Sequence, residues 1–138
     1  MNLKDFYFAD KHEAGSKMPI MLPDGTDSGE WLQVRGPDCD ASVNAGRAYT
    51  RAVQALNDNL QSLEEKCKAK ADFTEWNTQH AWAVEPLNKQ LALELVSGWS
   101  MDEPFTAAAF TELLSQFRGL AEQVSAHHIK SRDELNAK

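Results

Sequence analysis

Residues 91–117, LALELVSGWSMDEPFTAAAFTELLSQF, decide how the chain is read. An apolar helical run starting at Leu91 ends at Ser97-Gly98-Trp99-Ser100. An acidic turn, Met101-Asp102-Glu103-Pro104, follows, and Phe105-Thr106 announces a second helix. Thr106 is a good N-cap, because its hydroxyl can accept a bond from an otherwise unpaired N–H of the first turn. Phe105 then occupies N′ and Phe110 N4, the two positions of a hydrophobic staple. Gly98 stands where a helix end favours a left-handed C′ residue, a conformation free of a Cβ penalty only for glycine. The spacing predicts a helix–corner–helix with Trp99 and Phe105 buried at the bend, a corner that fixes how two helices pack.

The helical pattern extends in both directions. Leu87, Leu91, Leu95 and Trp99 form the stripe entering the corner. Pro86 lacks an N–H and disfavours helix at Glu85, so it either kinks this helix or sits in the first turn of a new one. Phe73, Trp76, His80 and Ala83 share one face behind a capping box of Asp72 and Glu75. Further back, Gly46, Tyr49, Val53, Leu56, Leu60, Leu63 and Cys67 recur in alternating steps of 3 and 4, one face of a long amphipathic helix. Asp38 or Asp40 can cap it, and a break is expected at Lys68–Ala71. Beyond the corner, Phe110, Leu113, Leu114, Phe117, Leu120, Ala121 and Val124 again keep helical spacing, with Gly119 as a loosening or breaking point. Residues 129–138 are polar, without a stripe, and are expected to fray.

Residues 18–36 have a different character. Met18 to Leu22 and Trp31 to Arg35 are strand-like, separated by the turn residues Pro23-Asp24-Gly25 and Ser28-Gly29. They read as a β-hairpin with a loop longer than two residues. One hairpin alone is marginal in water and must lean on something else. The arm before it, residues 1–17, holds Phe6, Tyr7 and Phe8 among charged residues. It either docks these aromatics on the body or leaves them free to bind a partner. The fold expected is therefore mainly α: three to four amphipathic helices from about residue 40, with an N-terminal hairpin at 18–36. The single domain spans 18–128, between an arm at 1–17 and a polar tail at 129–138.

The 138 residues suffice for a core without disulfides or metals, and 42% apolar and 25% charged residues are ordinary for a globular chain. The net charge of −7 and the lack of a basic block argue against nucleic-acid binding. Nothing approaches the roughly 18 consecutive apolar residues of a spanning helix, and no basic helix suggests a membrane surface. The N-terminus lacks the apolar core of a signal peptide. Cys39 and Cys67 read as free thiols.

No catalytic or metal-binding constellation emerges, and no cofactor is expected. His127 and His128 are adjacent and so point about 100° apart on a helix, and the i, i+4 spacing of a helical zinc site is absent. Glu64-Glu65, Asp102-Glu103 and Asp133-Glu134 read as solvated acids. The tryptophans say more. Trp76 and Trp99 fall on apolar faces and read as core, whereas Trp82 falls off the stripe. If exposed, Trp82 marks a partner surface, as do Phe6, Tyr7 and Phe8 if the arm stays free.

Two segments carry a family resemblance. The first is Gly29-Glu30-Trp31-Leu32-Gln33-Val34-Arg35-Gly36-Pro37-Asp38-Cys39-Asp40-Ala41. The second is Leu95-Val96-Ser97-Gly98-Trp99-Ser100, followed by Pro104-Phe105-Thr106 and Leu113-Leu114. In this order they resemble the tail assembly chaperones of long-tailed bacteriophages and prophages, over roughly residues 18–125. Trp31, Asp38, Asp40, Gly98, Trp99, Phe105 and Thr106 carry the motif and are expected to be structural. Cys39 stands where the family usually has a small hydroxyl residue, and the family's aromatic near the C-terminus is missing. The resemblance implies a non-enzymatic factor in the cytoplasm of the bacterial host. Such a factor binds the long helical tape measure protein, keeps it soluble, helps bring major tail tube subunits to it, and leaves before the virion is complete. Self-association is a further expectation. The competing expectation is a minor structural tail or connector protein that stays in the particle.

Overall fold

The computed structural model describes residues 1–137; Lys138, the end of the expected tail, lies outside the described residues. A single 3-10 turn at Leu3–Phe6 precedes α1 (Ala9–Ala14) and the strands β1 (Ser16–Met21) and β2 (Asp27–Val34). Then come α2 (Asp40–Asn59), α3 (Gln61–Lys70), α4 (Thr74–Leu95), a third strand β3 (Val96–Trp99), α5 (Ala107–Gln116) and α6 (Leu120–Leu135). The chain is mainly helical with a small antiparallel sheet of order β1-β2-β3. The class is the expected one, with more helices and one more strand.

The hairpin forms with Met18 opposite Leu32 and Pro19 opposite Trp31. Alternation puts Met18, Ile20, Leu32 and Val34 on the buried face. The support such a hairpin needs comes from the chain's own centre, at the expected corner. The helix stops at Leu95, and Val96 to Trp99 run extended beside β2, with Gly98 opposite Gln33. Gly98 is therefore not a left-handed helix cap; the positive-φ glycines are Gly15, Gly25 and Gly29. The physical reason is that β2 offers a row of unpaired backbone groups, and β-branched Val96 and aromatic Trp99 suit a strand. The ladder is extended at both ends, by Arg35 N–H to the Leu95 carbonyl at 2.8 Å and by Ser100 N–H to the Trp31 carbonyl at 3.0 Å.

The other edge of the sheet is blunted. Pro19 has no N–H to offer, and the Gln123 side chain brackets Met21, accepting from its N–H at 3.0 Å and donating to its carbonyl at 2.9 Å. A helix side chain thus replaces a fourth strand.

Thr106 caps α5 as expected, its hydroxyl accepting from Ala109 N–H at 3.0 Å. Phe105 and Phe110 form the staple, ring centroids 5.7 Å apart, and Trp99 meets Phe105 edge-on at 5.0 Å. Phe110 is fully buried, but Trp99 and Phe105, expected to be buried, are half-buried against the core. The Trp99 indole N–H reaches the Glu103 carbonyl at 2.7 Å and so keeps one edge at the surface. Gly119 separates α5 from α6 as a helix break.

Other expectations are corrected. Neither Asp38 nor Asp40 caps α2: Cys39 holds the N-cap position without a side-chain bond, and Asp40 is the first helical residue. The long stripe is shared by two helices, because the chain breaks at Leu60. Ala71, in the left-handed region at φ 54, ends α3 inside the expected break. Asp72 does bond Thr74, through its N–H and hydroxyl, but Phe73 holds the N-cap position of α4 and Glu75 accepts from Gln79 instead of closing a capping box. α4 runs unbroken through Pro86, which removes one bond, that to the exposed Trp82 carbonyl. Residues 129–135, expected to fray, are the last turns of α6, with Ser131 buried.

The core joins the sheet to the C-terminal end of α4, to α5 and to α6 through Leu32, Val34, Leu95, Phe110, Leu114 and Leu120. Among the described residues, none between 46 and 90 joins it.

Candidate interaction surface

A polar clasp ties the two ends of the chain together. His12 on α1 is fully buried. Its Nδ1 accepts from the Asp38 N–H at 3.0 Å, which requires the neutral ring to carry its proton on Nε2. Nε2 then donates to Asn136 Oδ1 at 2.7 Å. Arg132 donates to the Asp38 carboxylate through Nε at 3.2 Å and Nη2 at 3.0 Å. These bonds hold the Asp38 carboxyl below its usual range. Asp38, a motif residue, is thus explained as a tie between the turn before α2 and the end of α6. His128 Nδ1 faces the Arg35 carbonyl at 2.6 Å and so donates, while His127 Nε2 meets Ser16 Oγ at 2.7 Å. Burial lowers both their pKa values. The histidine pair therefore makes two separate cross-links to the sheet region. Among the described residues, no group of three or more His, Cys, Asp or Glu could hold a metal ion.

The other motif residues sit in the fold's framework. Trp31 is half-buried on β2: its N–H donates to Ser100 Oγ at 2.8 Å, and Lys17 Nζ lies 4.6 Å from its ring centre. Cys39 and Cys67 are buried free thiols, the first donating to Ser42 Oγ at 3.2 Å.

The surface aromatics fall into two places. Trp82, midway along α4, is 66% exposed. Phe6 and Tyr7 are 60% and 61% exposed on the N-terminal arm, while Phe8 is half-buried with Lys11 Nζ 5.3 Å from its ring centre. The arm is thus anchored by α1 through His12 and leaves Phe6 and Tyr7 outward. The structure does not bring these aromatics together with Trp82 in one cavity.

What sequence reasoning missed is a furrow along α4. On one side an open cavity of about 490 Å³ lies between α4 and α2, lined by Ala45, Ala48, Ala52, Leu87 and Leu91. Next to it, Leu91 and Tyr49 also line a second cavity, between α4 and α6, with Ala121, Ser125 and the 72% exposed Ile129. Tyr49 spans the junction and donates its hydroxyl to Asn88 Oδ1 at 2.8 Å. The alanines at 41, 45, 48 and 52 were the available signal, a second face of α2 with small side chains beside the recognised stripe.

Helices flanking an apolar furrow of this kind suit binding an extended or helical protein segment. No curated protein and no solved structure matches the chain. A family model described as phage tail assembly chaperone matches residues 31–136, from the first motif tryptophan to the asparagine that closes the clasp. That match covers most of the sequence and both motif segments, and the chain belongs to the phage tail assembly chaperone family.

Proposed function

We propose that this protein serves phage tail assembly by binding the tape measure protein, keeping it soluble and helping to bring tail tube subunits to it, without catalysing a reaction. The observation that carries the reading is the family match over residues 31–136. The physics is compatible with it. A long helical protein exposes apolar faces until its partners cover them, and an acidic chain of net charge −7 with open apolar grooves can shield such faces while remaining well solvated. The host cytoplasm is the proposed site of action; among the described residues no helix is long and apolar enough to cross a membrane. Exposed Trp82, Phe6 and Tyr7 and half-buried Phe8 are proposed as accessory partner contacts.

Co-expression with the tape measure protein of the same phage tests this reading. The expected result is a larger soluble fraction of tape measure protein and its co-purification with this chain. Unchanged solubility with no co-purification overturns it. Presence of the chain in purified, complete particles would favour the reading as a minor structural tail or connector protein instead.

A further inference from the structure

We infer that the furrow along α4, flanked by α2 and α6, is the seat for one amphipathic helix of a partner protein, and that this helix carries basic residues beside its apolar face. The inference rests on the chaperone reading above for the partner's identity, but not for the chemistry of the groove. Three helices lie side by side with their apolar surfaces incompletely covered. Leu87 and Leu91 of α4 stay half-buried, Ala48 and Ala52 of α2 leave room above them, and Ile129 of α6 projects with most of its surface free. A cavity of about 490 Å³ fits a row of side chains from an added helix, the ridge of one helix filling the groove between two others.

Charge selects among occupants. Glu94 lines the α2 side of the furrow and Glu122 the α6 side; both are exposed, and among the described residues neither forms an ion pair. Of the residues that line the two cavities, the one cation, Arg35, is already engaged; Arg47 and Arg51 of α2 and Lys130 of α6 are exposed but line neither cavity. Arg35 donates to the Glu94 carbonyl at 2.7 Å and faces Glu13 at 3.4 Å, while Lys89 and Arg118 both face Glu85. The unpaired charges lining the two cavities are therefore negative. A second copy of this chain brings another net charge of −7 to the same place, which disfavours it as the occupant. A foreign helix with lysines or arginines flanking an apolar face is complementary to both the shape and the charge.

The test uses a fluorescein-labelled synthetic peptide of roughly 20 residues, one face leucine and alanine, flanked by lysines. Its anisotropy is measured with the full-length chain, the Ala48→Arg/Ile129→Arg double variant and Thr50→Arg as a control. Thr50 is exposed on α2 and lines neither cavity, and all three altered positions are either exposed or open to solvent, so circular dichroism should show an intact fold. The expected result is binding that weakens with salt, falls about tenfold or more in the double variant, and persists in Thr50→Arg. A peptide with glutamates for its lysines should bind weakly. Failure of the lysine peptide to bind, or equal binding to the double variant, overturns the inference. So does a dimer of the unaltered chain in sedimentation that the double variant abolishes, since a second copy would then fill the furrow. Tape measure protein is then tested against the same proteins. If the peptide binds in the furrow and tape measure protein does not bind the unaltered chain, the groove stands and the chaperone reading fails. If tape measure protein binds the double variant as well as the unaltered chain, the groove serves another helix.

Discussion

The two halves of this molecule bury their apolar residues to different depths. In the half that carries the sheet, Leu32, Val34, Leu95, Phe110, Leu114, Leu120 and Val124 lose essentially all contact with solvent. In the region from residue 46 to residue 90, the stripe Tyr49, Val53, Leu56, Leu60, Leu63 and Trp76 is half-buried throughout, and only Cys67 is buried. The chemistry of the side chains is similar; the number of layers differs. Around Phe110 a sheet, α4, α5 and α6 enclose the core from several sides. Around Leu56 helices pack without a sheet beneath them, and the side chains of the stripe stay half-buried. The Trp76 indole shows the poorer fit: it stacks on His80 at 4.6 Å, yet its N–H is shielded from solvent without an acceptor. The lesson is that a regular heptad-like stripe marks a contact line, not a core.

The largest effect expected from that difference comes from cutting one large side chain in each half. Phe110→Ala should cost about 3–5 kcal/mol, because the site is enclosed and cannot collapse. Leu56→Ala should cost about 1–2 kcal/mol, since less apolar area returns to water than for a fully buried leucine. Urea midpoints of the two variants check this. Equal losses would break the comparison and show that the α2–α3–α4 region is packed as tightly as the sheet half.

Backbone strain sharpens the same contrast at a smaller scale. Gly15, at φ 75 and ψ −160, joins α1 to β1, and a Cβ there would meet the Val34 carbonyl. Gly15→Ala should cost about 1–3 kcal/mol. Ala71, at φ 54, carries a left-handed conformation with its Cβ in place. Ala71→Gly should therefore stabilise the chain by about 1 kcal/mol. Opposite signs in thermal melts support the assignment of both sites; a loss of stability in Ala71→Gly would show that its methyl packs usefully against α3.

How much of this was legible in the sequence depends on the range of the interaction. The Thr106 cap, the Phe105–Phe110 staple and the break at Gly119 rest on neighbours a few positions apart, and all are present; the hairpin expected at 18–36 forms too, but over residues 16–34, with Ser28 and Gly29 inside β2 rather than in its turn. β3 was hidden because Val96 to Trp99 is too short to show a period, and its partner lies more than 60 residues earlier. The Met21–Gln123 bracket and the His12–Asp38–Asn136 clasp join residues far apart in sequence, and nothing about an isolated histidine or glutamine announces them. The furrow was half visible as alanines on α2, but its other wall belongs to α6.

The histidine pair on α6 gives a pH dependence confined to the sheet half. Burial depresses the pKa of His127 and of His128, so the folded state prefers neutral rings more than the unfolded state does. Stability from this source is complete above the ordinary histidine range, near pH 6.5, and is lost as pH falls through the lower folded values. Glu134 opposes the shift at His127, and Asp38 and the Arg35 carbonyl oppose it at His128, so the decline is gradual. Urea melts between pH 7.5 and pH 5 should show the fall, and His127→Gln/His128→Gln should flatten it. A slope unchanged in the double variant would move the titration to another group.

The smallest effect is expected at the most conspicuous residue. Trp82 is 66% exposed on α4, beside the exposed Pro86, in the half where burial is shallow throughout. A large side chain with so little buried area has little to lose, and Trp82→Ala should change stability by no more than about 0.5 kcal/mol. Alanine is also the better helix former, which offsets part of the lost contact. The contrast with Trp99 separates two uses of one residue type. Trp99 packs edge-on against Phe105 and Phe110 and donates its indole N–H to Glu103, so Trp99→Ala should destabilise several times more than Trp82→Ala. Should Trp82→Ala cost as much as Trp99→Ala in urea melts, the outward face of α4 would be part of the packed fold, and its proposed role in partner contact would lose its basis.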